Sequence, residues 1–444
     1  MDVEQYLELV RKRGLSIKYV VQTHIHEDLV SGACALAAAS GGAEVCVSGH
    51  IGPAYGFAHR AVRDSDILEL GAVTLTIKHT PGHTPEHISL LVAKTPKKNA
   101  PFAVLSGGSL LVETAGRTDL LGPERVEELT SAQFHTLYNF FRGLNEGVLV
   151  YPTHVHGSPC GAAIGDKLCS SIGYEFMHNE LPRQPTEAKF RKQALKNLPP
   201  KPRYYPRLKE LNTGFPATAA GSLVIPALPP ADFKKAVADK LNFLIDTRHM
   251  LAFGGGHIPG ALNISAAGPL SILAGWMLEL DRPLLLVVES DALLRTVFHH
   301  FARTGFNRFA GYLAGGMSAW ENAGHDLESL PQLHVKELAA RLAHGSEDLV
   351  LKVRSPQEWA KVHVRGARHI FLPELPGQLK TLDKRKSTTV YCDSGYRASI
   401  AASLLKSHGC KVSNVPGSWQ TWKSSGLPME VPVMENPDVG TRGH

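Results

Sequence analysis

The chain has 444 residues, more than one core normally serves, so two to four domains are expected. A hydrophobic share of 43%, a charged share of 20% and a net charge of +6 spread along the sequence describe an ordinary globular protein and exclude both a disordered chain and a clustered nucleic-acid-binding face. No apolar run is long enough to span a bilayer, so no membrane role is expected. The six cysteines (34, 46, 160, 169, 392 and 410) lack C-x-x-C spacing, which points to a reducing compartment, the cytoplasm, and away from a disulfide framework.

The N-terminal stretch MDVEQYLELVRKRG reads as an amphipathic helix with acidic residues, not a signal peptide. IKYVVQTHIHEDLVSG then reads as a buried strand running into a loop. VTLTIKHTPGHTPEHISLLVA is a strand, a Gly/Pro-rich loop and a second strand, and FAVLSGGSLL and GVLVYPTHVHG repeat the theme of strand then polar loop. Histidines follow the strand ends in three of these four segments, where layered α/β folds build their sites. His24 and His26 alternate in THIHED and so share one face of a strand end. With Asp28, His83 and His154 they form an HxHxD-type metal-site pattern.

Residues 185–226 are basic and punctuated by proline, the character of a linker that wraps the domain before it. Two similar units follow at 227–328 and 332–430, and a tail covers 431–444. Each unit runs strand, loop, strand, helix, strand, loop at matching spacing, an internal repeat of about a hundred residues implying a parallel sheet with flanking helices.

The second repeat carries a thiol at a chemically loaded place. In TTVYCDSGYRASIAASLLKSHG a strand ends at Tyr391, Cys392 follows at once, and a helix begins near Ala398. A tight loop there turns backbone N–H groups inward at a helix N-terminus, which favours a thiolate and would cradle its persulfide. Gly395 supplies a backbone conformation open mainly to glycine, Ser394 lies in the same loop, and Arg397 adds a positive charge able to fork onto an oxyanion. A free cysteine is usually a structural one, and the other five keep that reading; the strand–C-x-x-G-x-R–helix context sets Cys392 apart. Cysteine phosphatases need one residue more between Cys and Arg, and the shorter loop suits sulfur better than phosphate.

On VRSPQEW, the CDSGYR loop and PGSWQTW, the second repeat resembles a rhodanese domain. It departs from the pattern at Lys352, where the family has Asp, and at Val362-His363-Val364, where it has Gly-His-Ile. The first repeat is similar through IDTRH, GHIPGALNI and YLAGGMSAW. It carries Glu289, Ser290 and Asp291 where the cysteine would stand, so it reads as a non-catalytic copy used for packing or docking. Residues 1–184 resemble the metallo-β-lactamase fold, an αββα sandwich, and more closely its persulfide dioxygenase branch, through THIHEDLVSG, HTPGHTPEHISLLV, GRTDLLG and YPTHVHGSPCG. The domain order is that of persulfide dioxygenase–rhodanese fusions.

That resemblance implies one Fe(II) per chain held by His24 and His83, with His26, Asp28 and His154 around the site and Arg117 near the substrate mouth. The family's carboxylate ligand falls at Gly108 in SGGSL, leaving Glu113, Asp28 or a water as candidate replacements. The chain also begins at a helix that this fold normally places after its opening strands, so either Met1 is a misplaced start or the first sheet is incomplete. The implied activity is oxidation of glutathione persulfide or a relative to sulfite, with sulfane sulfur moving through Cys392 to or from thiosulfate or sulfite; a homo-oligomer is compatible. The alternatives are a sulfurtransferase with an inactive metal domain, a non-enzymatic persulfide carrier, and a glyoxalase-like thioesterase. The last lacks the His expected after Asp28, where Leu29 stands.

Overall fold

The structure, a computed structural model, describes residues 3–52, 54–214 and 225–431. Met1, most of the expected tail and part of the expected linker lie outside them. The described residues form two compact units, one of residues 3–214 with Ala302–Gly305 and one of the remaining residues from 225 onward. Among the described residues no helix is long and apolar enough to cross a membrane.

In the first unit, β1 (Tyr19–Val21), β2 (Glu44–Ser48) and β3 (Arg60–Val62) form a parallel sheet in that order. Strands β4 (Ile67–Leu70), β5 (Val73–His79), β6 (Ile88–Lys94) and β7 (Ala103–Gly107) form an antiparallel meander. A small hairpin of β8 (Leu110–Leu111) and β9 (Thr114–Ala115) follows. Strand β10 (Leu149–Pro152) then adds parallel to β7, and β11 (Ser170–Ser171) closes that edge.

The two-residue period of a strand sorts the core. Leu75, Ile77, Ile88, Leu90 and Leu105 pack toward Cys46 and Val62 of the other sheet. Leu91 and Val104 turn the opposite way, onto Leu137, Phe141 and Phe190. The helix Ala33–Ala39 covers β2 through Ala33, Ala37, Val45 and Val47. Helix, sheet, sheet, helix is the αββα sandwich expected. The stretch expected to be a linker is more ordered than that reading: helices Glu187–Ala194 and Tyr205–Thr213 bury Phe190, Tyr205 and Leu208 against this unit. Proline-broken basic sequence hid an amphipathic pair whose large apolar side chains Phe190, Tyr205 and Leu208 point inward.

The second unit holds two parallel sheets. Strands β12 (Ala227–Leu228), β13 (Phe243–Asp246), β14 (Leu262–Asn263), β15 (Leu284–Val287) and β16 (Phe309–Leu313) lie in the order 12-16-15-13-14. Strands β17 (Leu349–Lys352), β18 (His363–Val364), β19 (Arg368–His369), β20 (Thr388–Tyr391), β21 (Val412–Asn414) and β22 (Met429–Glu430) follow. Four of them lie in the order 19-17-20-21, and β18 pairs with β22. One apolar core runs through both repeats, from Leu286 and Phe301 to Val390 and Leu405. The seam includes a buried polar contact, where Asn263 takes a hydrogen bond from Ser399 Oγ (2.5 Å) and donates its N–H to Ser403 Oγ (3.1 Å). The first repeat thus packs against the helix that carries the thiol loop of the second.

Candidate functional sites

The clustered histidines of the first unit meet beyond the C-terminal ends of β1 and β10 and in the loop between β5 and β6. His24 is buried, and its Nδ1 meets Thr23 Oγ1 at 2.9 Å, which leaves Nε2 inward. His154 is buried just past β10; its Nδ1 lies 3.1 Å from Asp28 Oδ2 and its Nε2 lies 3.2 Å from His24 Nε2. His83 Nδ1 sits 2.8 Å from the Arg117 carbonyl, and a His83 donor nitrogen lies within 4.8 Å of donor atoms of His154 and Cys160. Glu86, buried, ties the two histidine-bearing loops together by accepting from Ile25 N–H (2.9 Å) and Thr84 Oγ1 (2.8 Å).

Burial first, then the neighbouring His26, His83, His87 and His154, pushes His24 well below the usual histidine range and keeps it a neutral donor. Burial alone would raise Asp28, but its contacts with His154 and His26 outweigh that and hold its carboxyl well below the usual range. His26 Nδ1 and Asp28 Oδ1 are buried and face each other at 3.6 Å, too far for a hydrogen bond, and neither makes another. Unpartnered polar atoms among several imidazoles fit a divalent cation. Two groups of three donors occur among the described residues, His24–His26–His154 and His83–His154–Cys160, each with its donor atoms within 4.8 Å of one another.

Three sequence expectations change here. Arg117 does not open onto a substrate mouth: it is buried, and its guanidinium is taken by Asp119 (2.7 Å, twice) and the Pro159 carbonyl (3.0 Å). Its work is to pin His83 through its own backbone oxygen. Glu113 does not replace the missing carboxylate, because it is exposed and its Oε1 accepts from the Tyr174 hydroxyl. Asp28 stays behind His154. Sequence reading also missed His87, Cys160 and Asn212. His87 accepts from Gly108 N–H (2.8 Å) and meets Thr80 Oγ1 (2.8 Å), so both its nitrogens are engaged in bracing the turn after β7. Asn212 donates to the His26 and Leu29 carbonyls (2.8 and 2.7 Å) and accepts from Ser31 N–H (2.7 Å), bracing the loop that carries Asp28. The His87 signal was present in PEHIS; Asn212 had none, since its partners lie some 180 positions earlier.

In the second unit Cys392 follows β20 directly and the helix Tyr396–Ser407 begins two residues before the expected start. Gly395 has φ +112, and its N–H donates to Cys392 Sγ at 3.1 Å. A side chain at Gly395 would also stand 2.7 Å from Met250 Sδ. Ser418 Oγ accepts from Cys392 N–H (3.2 Å), and Ser394 is half-buried in the loop. The thiol is 1% exposed, deeper than a site at the domain mouth.

Arg397 corrects an expectation. Its guanidinium forks onto Glu358 (2.7 and 3.0 Å), not onto the space above the sulfur. Burial alone would raise Glu358, but hydrogen bonds and charge from Arg397 hold its carboxyl well below the usual range. Glu358 also closes a capping box with Ser355 and accepts from Arg354 Nε at 2.6 Å.

Lys352, in the family's Asp position, is buried. Its Nζ donates to the Glu358 carbonyl (3.1 Å) and the Val362 carbonyl (2.6 Å) between the rings of Trp359 and Trp419. In the first repeat the equivalent Asp246 pairs with Arg248 at 2.6 Å. There Glu289, Ser290 and Asp291 are exposed, so no donor-lined pocket stands where the thiol loop would be.

Comparison with known proteins agrees with this division. The family description "Metallo-beta-lactamase superfamily" matches residues 1–95, and "Rhodanese-like domain" matches residues 229–323 and 334–425. The cattle protein named persulfide dioxygenase ETHE1, mitochondrial, is 27% identical over 151 residues, covering 34% of this chain and 54% of that protein. The chain thus spans about half the length of the persulfide dioxygenases it matches. The Bacillus subtilis protein YtwF, which bears a provisional sulfurtransferase name, is 27% identical over 22% of this chain and 96% of its own. A solved metallo-beta-lactamase from Staphylococcus aureus superposes at a TM-score of 0.62 with 26% identity, covering 70% of this chain and 89% of that one.

Proposed function

We infer that this chain, a metallo-β-lactamase domain followed by two rhodanese-like domains, is an enzyme of sulfane-sulfur metabolism. The observation that carries this reading is the Gly395 amide aimed at Cys392 Sγ, 3.1 Å away, at the start of a helix. That donor and the helix N-terminus would hold an anionic persulfide on the sulfur. The Cys392 thiolate attacks the outer sulfur of a persulfide or thiosulfate. The new S–S bond forms on Cys392 as the donor's own sulfur bond breaks, and the electron pair leaves with the thiolate or sulfite. An acceptor thiolate or sulfite then takes the outer sulfur and returns Cys392 to its resting state. Arg397, through Glu358, fixes the loop that aims the donors.

The metal domain would act on glutathione persulfide or a related persulfide, converting its outer sulfur to sulfite at the expense of O2 and water and releasing the thiol. A divalent ion held there, Fe(II) as the family resemblance implies, would supply the redox chemistry with O2. The residues available to hold it are His24, His26, His83 and His154, with Asp28 orienting His154. A second reading, sulfur transfer alone, is favoured by one observation: Gly108 offers no carboxylate. The cysteines, all free, fit a reducing cytoplasm.

The test is to expose the full chain and its Cys392→Ser variant to thiosulfate and to glutathione persulfide. The wild type should gain the mass of one sulfur atom and transfer it to cyanide or sulfite, and the variant should do neither. O2 uptake with the persulfide, surviving in the variant, identifies the two-activity enzyme. Sulfur transfer without O2 uptake identifies the second reading, and a wild-type thiol that takes no sulfur overturns both.

A further inference from the structure

A divalent ion in the first unit belongs to the function proposed for this chain, and the ligand set inferred for it rests on that reading. The carboxylate that the resemblance assigns as third donor falls at Gly108, and the space over its Cα is already filled. A Cβ there would stand 2.3 Å from His83 Cδ2 and 3.1 Å from His24 Cε1. Neither Glu113, bonded to Tyr174, nor Asp28, turned to the back of His154, delivers an oxygen into that space.

Nitrogen is the donor present in excess. The 3.2 Å between His24 Nε2 and His154 Nε2 is close to the spacing of two ring nitrogens on one tetrahedral ion, about 3.4 Å for bonds of about 2.1 Å. Both rings are oriented from behind, His24 by Thr23 Oγ1 and His154 by the Asp28 carboxylate. A carboxylate behind a ligand imidazole fixes its tautomer and raises its basicity. His26 completes the group; its buried Nδ1 makes no hydrogen bond and lies 3.6 Å from Asp28 Oδ1, so Asp28 stands behind this ring as well. We propose that His24, His26 and His154 form a three-imidazole metal site, with His154 standing in for the carboxylate that Gly108 cannot supply. His83 then lines the site without binding the ion. Neutral nitrogen donors rank divalent ions by the Irving–Williams order, so Co(II) and Zn(II) are held more tightly here than Fe(II).

The experiment is a titration of the metal-stripped full chain with Co(II), followed by visible absorption and by metal content after gel filtration. One Co(II) per chain is expected, with d–d bands of a nitrogen site and no thiolate-to-metal charge-transfer band. His26→Ala and His154→Ala should each weaken Co(II) binding about 100-fold or more, and His83→Ala less than about threefold, as befits a ligand against a neighbour. Asp28→Asn keeps every imidazole, so it guards against a folding artefact; it should weaken binding about 10-fold, with an unchanged far-ultraviolet circular dichroism spectrum. Loss of Co(II) in His83→Ala with retention in His26→Ala overturns the proposal and leaves the metal reading intact. A charge-transfer band abolished by Cys160→Ser also overturns it, in favour of the His83–His154–Cys160 group. A wild type that binds neither Co(II), Zn(II) nor Fe(II) overturns the proposal and the metal reading together, while sulfur loading of Cys392 tests the rest of the function independently.

Discussion

The histidine cluster and the thiol loop both depart from their family's pattern, and the departures at Gly108 and at Lys352 differ in kind. Gly108 removes an atom from the place where reacting groups would meet, and nothing behind it can be rearranged to give that atom back. Lys352 changes a residue behind the loop, and the neighbours absorb the change: Arg354, without an Asp beside it, turns to Glu358 (2.6 Å) and toward Asp393 (3.4 Å). The Cys392 cradle remains assembled. A substitution in a supporting shell is compensated by re-pairing, whereas one at a donor position is compensated only if another donor is already within reach.

The sharpest way to break this contrast is to make the thiol loop's support fail. Arg397→Ala strands the Glu358 carboxylate. It should cost about 2–4 kcal/mol, below the usual loss for a fully buried pair because about a quarter of each side chain is exposed (25% and 26%). Urea unfolding followed by tryptophan fluorescence measures the cost, and sulfur loading of Cys392 should fall with it. No loss of stability would show that the fork is ornamental.

The next test returns the missing atom. Gly108→Asp forces a Cβ against the His83 ring, so it should destabilise the first unit by about 1–3 kcal/mol in calorimetry. Fe(II) retention without loss of stability would instead mean that the cluster reopens freely and the ancestral donor set reassembles.

The smallest effect concerns Lys352. Burial first, then the Arg354 charge, pushes its pKa down to about 7 from 10.5. Between those values the unfolded chain binds the proton that the folded chain has released, so stability rises with pH across that window. Below about pH 7 both states are protonated and the full penalty applies. The urea midpoint should therefore increase from about pH 7 to about pH 9.5, and Lys352→Met should flatten that slope. An unchanged slope in the variant would place the titration elsewhere.

Local pattern carried much of this into the sequence. The β1, β5, β6, β7 and β10 strands were readable because two-residue alternation and apolar runs end at Gly, Pro and His. The Cys392 loop was readable because strand, C-x-x-G-x-R and helix are contiguous. What stayed hidden were pairings between distant segments. Glu358 as the partner of Arg397 lies 39 residues away, though its S-P-Q-E capping box was visible. Cys160 joins His83 and His154 only through folding. The pairing of Arg117 with Asp119 was only two residues off, but whether an arginine faces solvent or a carboxylate depends on burial, which spacing alone does not report.

Asn212 bears on how this protein should be cut. Its amide clamps the His26–Leu29 turn from the far side of residues 185–204, and the neighbouring Thr213 carbonyl accepts from Gly56 N–H at 2.8 Å. A recombinant N-terminal fragment trimmed at residue 184, where the sequence reading ends the first domain, would lose both clamps. An expression boundary placed after Thr213 keeps the histidine turn under the brace with which it folds.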